Sequence, residues 1–457
     1  MHRLRLGIAP LYLLLCLLLG GASAAGFWAN MVLQLLALPL IFWAIVTERQ
    51  TPASTASRQL IGLLIVMLAV IAVQLVSLPP SIWTSLPGRQ DAAEGLRMLG
   101  QPLPWMPISL APDRTWASAL WLLPAIATLL AVVRLGGFKS NLFAWVLAAV
   151  TIISVGIGAL QITGGEGSPW YLYKITNVGV TTGFFSNANH MATLLVCTIP
   201  FLAALYLDAR AKGRSAQRTS GMFLALAGTL AVVFIGIAAN RSLAGIGLAV
   251  PVLAASALMI ASRRRRLPAW LYGLLALLMV GAVAVAFTTP FGASLNDEEA
   301  VASRETRSVS FSRTIGFTGD YLPVGSGIGT FGEIYPTHEN PADVSRIYMN
   351  HVHGDYIEVA LETGFPGMIA ILLFLAWWAR RAFAIWRGDE PDYFARAATV
   401  ASAAILAHSL VDYPLRTAAI SAVLAMCCAL MAEPRAKVRR SRKTVEPANR
   451  ARHLSAD

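Results

Sequence analysis

Apolar residues run along the chain in blocks of roughly 18–22, broken by short polar stretches, and a helix needs about 20 such residues to cross the hydrocarbon of a bilayer. Twelve candidate spans follow, at 6–22, 26–46, 59–79, 116–134, 140–161, 189–208, 220–239, 242–261, 268–288, 366–386, 395–413 and 416–433. The pattern predicts an all-α polytopic integral membrane protein. Residues 1–288 hold spans one to nine, 289–365 form a large polar loop, 366–433 hold spans ten to twelve, and 434–457 are a basic tail.

Composition excludes an ordinary soluble enzyme. Of 457 residues 56% are hydrophobic and 13% charged, with mean hydropathy +0.61, against about 25% charged in soluble domains. The net charge of +12 would point a soluble protein toward nucleic acid. Here it sorts by membrane face instead. With a cytoplasmic N-terminus, 26 of the 36 basic residues fall on that side and 10 on the other, the bias expected of inward loops. Both termini are therefore expected inside, the partner is the lipid bilayer, and no nucleic acid is expected. Cys16, Cys197, Cys427 and Cys428 all sit in apolar blocks, without the spacing of a disulfide framework or metal site. The run Leu11–Leu19 before Gly20-Gly21-Ala22-Ser23-Ala24 has signal-peptide character. It is read as an uncleaved first span, because the topology closes only if it is kept.

Three outward segments are long. Residues 80–115 carry Trp83 and Trp105, with Trp116 just beyond, as in a chain lying at headgroup level. Residues 162–188 are rich in Gly and Tyr, and 289–365 is the one sizeable extramembrane piece. The inward loops are short and basic, so any site should face outward. The densest chemistry lies in Tyr348-Met349-Asn350-His351-Val352-His353-Gly354-Asp355-Tyr356 and the residues that follow. From His353 the pattern is an amphipathic helix, with Asp355, Glu358 and Glu362 on one face, ended by Gly364 and Pro366. A solvated carboxylate face is one reading. It leaves unexplained two histidines at the helix start beside a membrane, where an imidazole can take a proton from a hydroxyl.

His351-x-His353-x-Asp355 also resembles a metal-ligand run, but Tyr356 stands where a further histidine is wanted, and no metal is expected. Gly327-x-Gly329-x-x-Gly332 matches the dinucleotide fingerprint by letter only. Glycines there serve a tight turn. Arg241 is the single charge in the turn Asn240-Arg241-Ser242. It either snorkels or grips phosphate oxygens with its planar fork, with Arg313, Arg304 or Arg307 as a second grip. Asn187, Asn189 and His190 open span six, where an Asn N-cap is the plain reading. His408, Asp412 and Arg416 stand four apart near the outward end of span eleven. They form an interhelical polar cluster or part of a site.

Together these pieces resemble the O-antigen ligase and O-antigen polymerase superfamily, which includes bacterial protein O-oligosaccharyltransferases. The family pattern is a histidine, an amide or hydroxyl residue, nine residues, Gly, two residues and a small residue. Here it reads His353, Gly354, nine residues, Gly364 and Gly367, with Gly354 departing from it. Phe184 to His190, Asn240-Arg241-Ser242, Gly325 to Phe331 and Asp412-Tyr413-Pro414-Leu415 are also similar, so the resemblance covers roughly 160–430.

It implies a GT-C-like, all-helical glycosyltransferase of the bacterial inner membrane, its site facing the periplasm. The implied donor is a glycan on undecaprenyl diphosphate. The implied acceptor is a hydroxyl of another glycan, of lipid A-core or of a protein. No cofactor, metal or nucleotide is implied. Leaving-group departure builds charge on the diphosphate and an oxocarbenium-like centre on the sugar. Arg241 and Arg313 are expected to hold the diphosphate. His353 is expected to orient or deprotonate the acceptor, with Asp355 or Glu358 setting its tautomer, and Asn189, His190, His351, Asp412 and Arg416 in support. In-line attack predicts inversion. Ligase, polymerase and protein transferase stay open, and a transporter or flippase for a lipid-linked glycan is the alternative of a different class.

Overall fold

Inside lipid a backbone must satisfy its own polar groups, so a spanning chain is helical or a closed barrel. In a computed structural model this chain is helical. The structure describes residues 2–24, 27–48, 52–135, 138–212, 216–262, 309–341, 349–388 and 391–433, with scattered positions in 268–281 and Val344. Among these, eight helices are long and apolar enough to cross a membrane: Trp28–Val46, Thr55–Gln74, Pro112–Leu135, Ser140–Thr163, Ala188–Ala211, Thr219–Asn240, Leu243–Ala261 and Asp355–Arg387. Leu4–Leu19 and Ala418–Ala432 are shorter apolar helices, and Tyr393–His408 is a helix of 16 residues. Among the described residues eight helices thus have full spanning length, and the expected count of twelve stays an expectation, since segment 268–288 lies largely outside the described residues. Span eleven was drawn to residue 413 but its helix stops at His408, where the chain turns to bring Asp412 to Arg416 inward.

The helix Ala188–Ala211 is the axis of the bundle. Its apolar window is 94% buried, against 17% for Thr55–Gln74 and 28% for Trp28–Val46. Lipid offers no hydrophobic drive between helices, so close packing depends on small residues. Ala397, Ala398, Ala401 and Ala404 are buried on Tyr393–His408, the axis helix's neighbour. Gly245 lies so near the axis helix that a Cβ there would stand 2.6 Å from the Ala192 Cβ. Outer helices turn Leu35, Phe42, Ile65 and Leu372 outward, the apolar surface that lipid requires.

Two sets of contacts define the ends of the bundle. At one, Ser54 Oγ donates to Ala432 O at 2.7 Å and Arg381 Nε to Met431 O at 3.0 Å. At the other, Ala419 N donates to Gly20 O and Ser186 N to Gly21 O, and the candidate residues gather there.

The helix Asp355–Arg387 is broken at Gly364, whose φ of 58° and ψ of −149° are non-helical, as Gly364 and Pro366 predict. The break orphans the last carbonyls of the first segment. Ser326 N donates to Leu361 O at 3.0 Å, and Gly327 N and Gln74 Nε2 both donate to Glu362 O at 2.8 Å. Such an approach of backbone to backbone leaves no room for side chains. Gly325 (φ 79°) and Gly327 (φ 116°) are left-handed, and a Cβ on Gly325 would lie 2.5 Å from the Glu362 carbonyl carbon. The glycine run is therefore a helix-capping turn. The strand pairing found among the described residues joins Ser77–Leu78 to Met106–Pro107, so no dinucleotide-binding strand precedes the turn.

Buried Arg89 holds the turn from below, donating from Nη2 to Gly325 O at 2.6 Å and to Ile108 O, and from Nη1 to Pro87 O at 2.6 Å. Burial lowers its pKa to about 10. Trp83 departs from the expected aromatic belt. It is buried, its indole N–H donating to Pro104 O at 2.9 Å, whereas Trp105 and Trp116 are exposed.

Gly325→Ala should lower the melting temperature in detergent, since the left-handed conformation alone costs about 1–2 kcal/mol before the collision with Glu362. Gly95→Ala, in the helix Gln90–Met98 with open space around it, should leave stability unchanged or raise it by up to about 1 kcal/mol.

Candidate active site

Three carboxylates spaced 355, 358 and 362 share a helix face, and the structure turns that face inward. Asp355, Glu358 and Glu362 are 6%, 1% and 0% exposed, so the solvated-face reading fails. Arg416 faces all three: Nη2 is 3.2 Å from Glu358 Oε1 and 3.0 Å from Glu362 Oε2, and Nε is 3.8 Å from Asp355 Oδ1. A buried charge is tolerable only when paired and hydrogen-bonded. Burial opposes the Arg416 cation, yet Glu358, Glu362 and Asp355 together hold its pKa above the ordinary value. The carboxylates have further donors. Phe331 N reaches Glu362 Oε1 at 3.4 Å, and Val352 N reaches Glu358 Oε2 at 3.1 Å.

The histidines pair differently from expectation. Glu358 Oε1 meets His351 Nδ1 at 2.7 Å. His353 Nδ1 faces Asp412 Oδ1 at 3.3 Å, so Asp412, rather than Asp355 or Glu358, is placed to set its tautomer. His353 has φ of 57°, a left-handed conformation uncommon for a side-chain-bearing residue. Gly354 follows in extended conformation, and a Cβ there would lie 3.1 Å from the Phe311 ring. Burial alone would raise the Asp412 pKa; the hydrogen bond from His353 and the neighbouring imidazoles of His190, His353 and His408 hold it well below the carboxylate range. For His351, burial lowers the pKa but Glu358 outweighs it, and the result lies above 6.5.

Tyr413 joins the imidazoles. Its ring centroid is 4.6 Å from His351, 4.9 Å from His353 and 5.2 Å, edge-on, from His190. The turn that carries it is set by Asp355 N donating to Ser409 O at 2.9 Å. His408, one turn back, shares a hydrogen bond of 2.8 Å between Nδ1 and Thr193 Oγ1.

Arg241 lies at the same end. Asn187 is the N-cap of the axis helix, its side chain accepting from Asn189 N. Asn189 Oδ1 then accepts from Ser242 Oγ at 2.7 Å, and Asn240 Nδ2 donates to Thr181 O and Ala188 O at 2.6 and 2.8 Å. Between these two anchors Arg241 stands exposed with φ of 57°, with no hydrogen bond or ion pair to the described residues. A path of contacts runs from this turn through Asn189 and His190 to Tyr413 and His353. Arg313, in helical residues 309–318, points Nη1 at Tyr335 OH at 3.5 Å, in the aromatic cluster of Phe317, Tyr321, Phe331 and Tyr335 that also buries Val352. Arg304 and Arg307 lie outside the described residues.

Sequence reasoning missed the partnership of Tyr413 with three histidines, the salt bridge of Glu362, and the bracing by Gln74 and Arg89. For Glu362 the signal was present in its helical spacing. For Gln74 and Arg89, more than 200 residues from what they hold, there was none.

The O-antigen ligase family model matches residues 227–372, and this supports the O-antigen ligase and polymerase superfamily for the chain. That is a ligase- or polymerase-type glycosyltransferase family, and the chain is a multi-pass membrane protein. No curated protein matches the chain. The matched stretch holds Arg241, Arg313, His351, His353, Asp355 and Glu358. Asn189, His190, Asp412, Tyr413 and Arg416 lie outside it and reach the site through the fold.

Arg416→Leu should strand three buried carboxylates and cost about 3–5 kcal/mol in thermal unfolding; Arg416→Lys, which keeps the charge but not the fork, should cost less. The His351–Glu358 pair predicts a pH dependence. Because the folded-state pKa of His351 lies above 6.5, its stabilisation is complete below that pH and is lost as pH rises through the folded value. Melting temperatures across that range should therefore fall further in the wild type than in His351→Gln.

Proposed function

We propose that the protein transfers a glycan from a polyprenyl (undecaprenyl) diphosphate to an acceptor hydroxyl on the periplasmic side of the inner membrane. The observation that carries this reading is a strained, exposed arginine fork, unpaired among the described residues, at the same end of the bundle as a His–Asp dyad and linked to it through Asn189, His190 and Tyr413. Cleaving a sugar–diphosphate bond needs positive charge at the leaving oxygens and a base for the attacking hydroxyl. Arg241 meets the first need. Arg313 is a second grip on the donor, from the loop side. His353 meets the second need, with Asp412 holding Nδ1 so that the other ring nitrogen accepts the proton.

Asp355 and Glu358 act indirectly in this reading. Glu358 fixes His351, and both carboxylates lock onto Arg416, fixing the start of the helix that positions His353. The acceptor oxygen attacks the anomeric carbon opposite the departing diphosphate, so configuration inverts. Orientation is supported by the basic side chains at the other end, where Arg134 reaches Ala44 O and Arg381 reaches Met431 O, as the positive-inside rule asks of a cytoplasmic face.

Reconstituted in liposomes with undecaprenyl-diphosphate glycan, candidate acceptors and EDTA, the protein should form a new glycosidic bond. Arg241→Ala should reduce transfer by about 10²–10³-fold and His353→Ala by about 10²–10⁴-fold, with Arg241→Lys between Arg241→Ala and wild type. Full transfer by both alanine variants would sink the reading. Movement of the lipid-linked glycan across the membrane without bond formation would replace it with transport.

A further inference from the structure

Behind His353 and its partner Asp412 lie two imidazoles, His190 and His408, to which the transfer reaction gives no chemical step. His190, His408 and Asp412 are each 0% exposed. Both ring nitrogens of His190, Nε2 of His408 and Oδ2 of Asp412 have no hydrogen-bond partner among the described residues. Buried polar atoms are almost always paired, and a cluster that served only to hold helices together would pair its own members. Here the three come from different elements: His190 from the start of the axis helix, His408 from the end of Tyr393–His408, and Asp412 from the turn after it. They adjoin in space: Asp412 N donates to His408 O at 3.0 Å, His353 Nδ1 faces Asp412 Oδ1 at 3.3 Å, and His190 lies edge-on to Tyr413, the residue after Asp412, at 5.2 Å. Arg416 reaches the group through Glu358 and His351.

We propose that His190 and His408, with Asp412, form a buried proton acceptor for His353. The inference rests on the reading of His353 as the base. When the acceptor O–H bond breaks, its proton goes to the outer ring nitrogen of His353, and the proton on Nδ1 passes to Asp412. Asp412 hands a proton on to the neutral imidazole of His190 or His408 across one ordered water, since no direct hydrogen bond joins them. The carboxylate ends ionised beside an imidazolium, so the chemical step adds no net charge to the buried cluster beyond the proton itself. After product release the proton leaves by the reverse route. Tyr413 packs against His190, His351 and His353 along this route. These are positioning and proton-accepting residues, and they need no contact with substrate.

The test compares His190→Leu, His408→Gln and His353→Ala in the liposome assay, with kcat, donor KM, the pH–rate profile and melting temperature as readouts. The proposal expects His190→Leu and His408→Gln each to lower kcat by about 10²-fold, the lower end of the range for positioned proton transfer. Donor KM should stay within about twofold, and the pH dependence of kcat should shift. It also expects His190→Leu to melt no lower than wild type, because it removes an unpartnered buried imidazole. A purely structural role would lower the melting temperature and leave the pH profile alone. Folded variants with wild-type kcat and pH profile overturn the relay, and if His190→Leu does not fold, His408→Gln decides. Loss of transfer in His353→Ala beside normal His190 and His408 variants ends the relay alone, whereas full transfer in His353→Ala ends the functional reading beneath it.

Discussion

The pairing of Arg416 with Asp355, Glu358 and Glu362 is the interaction on which the site depends. It joins the turn after Tyr393–His408 to the first segment of the broken helix, two pieces of chain more than 50 residues apart. Neither side is tolerable alone in so buried a place: an isolated guanidinium or an isolated carboxylate would have to give up its charge or its burial. Together they fix the start of that helix, and everything just before it inherits the placement. Glu358 holds His351 and the Val352 amide, and the same turn that delivers Arg416 delivers Asp412 to His353 and Tyr413 to the imidazoles.

The broken helix raises a second demand. Carbonyls freed by Gly364 lie within a membrane protein, where irregular backbone survives only if the protein itself satisfies it. The glycine turn at 325–329 and Gln74 supply the donors, and Arg89 holds the turn through the Gly325 carbonyl. Polar side chains from residues 74 and 89 thus stabilise a helix beginning at Asp355. The capping turn and the ion-pair face adjoin at Glu362, whose carbonyl accepts from the first and whose carboxylate meets Arg416 in the second.

Strain is concentrated at two residues of the proposed site. Arg241 and His353 are the side-chain-bearing residues with positive φ among the described residues. Each is held by well-bonded neighbours, Asn240 and Ser242 in one case, Val352 and Asp355 in the other. Backbone strain of this kind persists only where the surroundings over-determine it. Around both residues the surroundings are hydrogen bonds to the axis helix or to the Arg416 network.

Much of the architecture was legible in the sequence because it follows from local rules. Blocks of about 20 apolar residues call for helices, spacings of three and four put the carboxylates of 355, 358 and 362 on one face, Gly364 with Pro366 ends a helix, and Asn187 caps the next. The presence of a histidine pair, a lone turn arginine and a His-Asp-Arg ladder could likewise be read directly. Which of these meet could not, since partner choice in a helical bundle depends on rotation and depth that periodicity leaves open. Only the packed chain decided that the carboxylate face turns inward to Arg416, that His353 pairs with Asp412 while Glu358 takes His351, and that Tyr413 gathers the imidazoles. Packing also decided where the helix Tyr393–His408 stops, because a helix shortened to seat a polar turn looks the same in hydropathy as one that runs on.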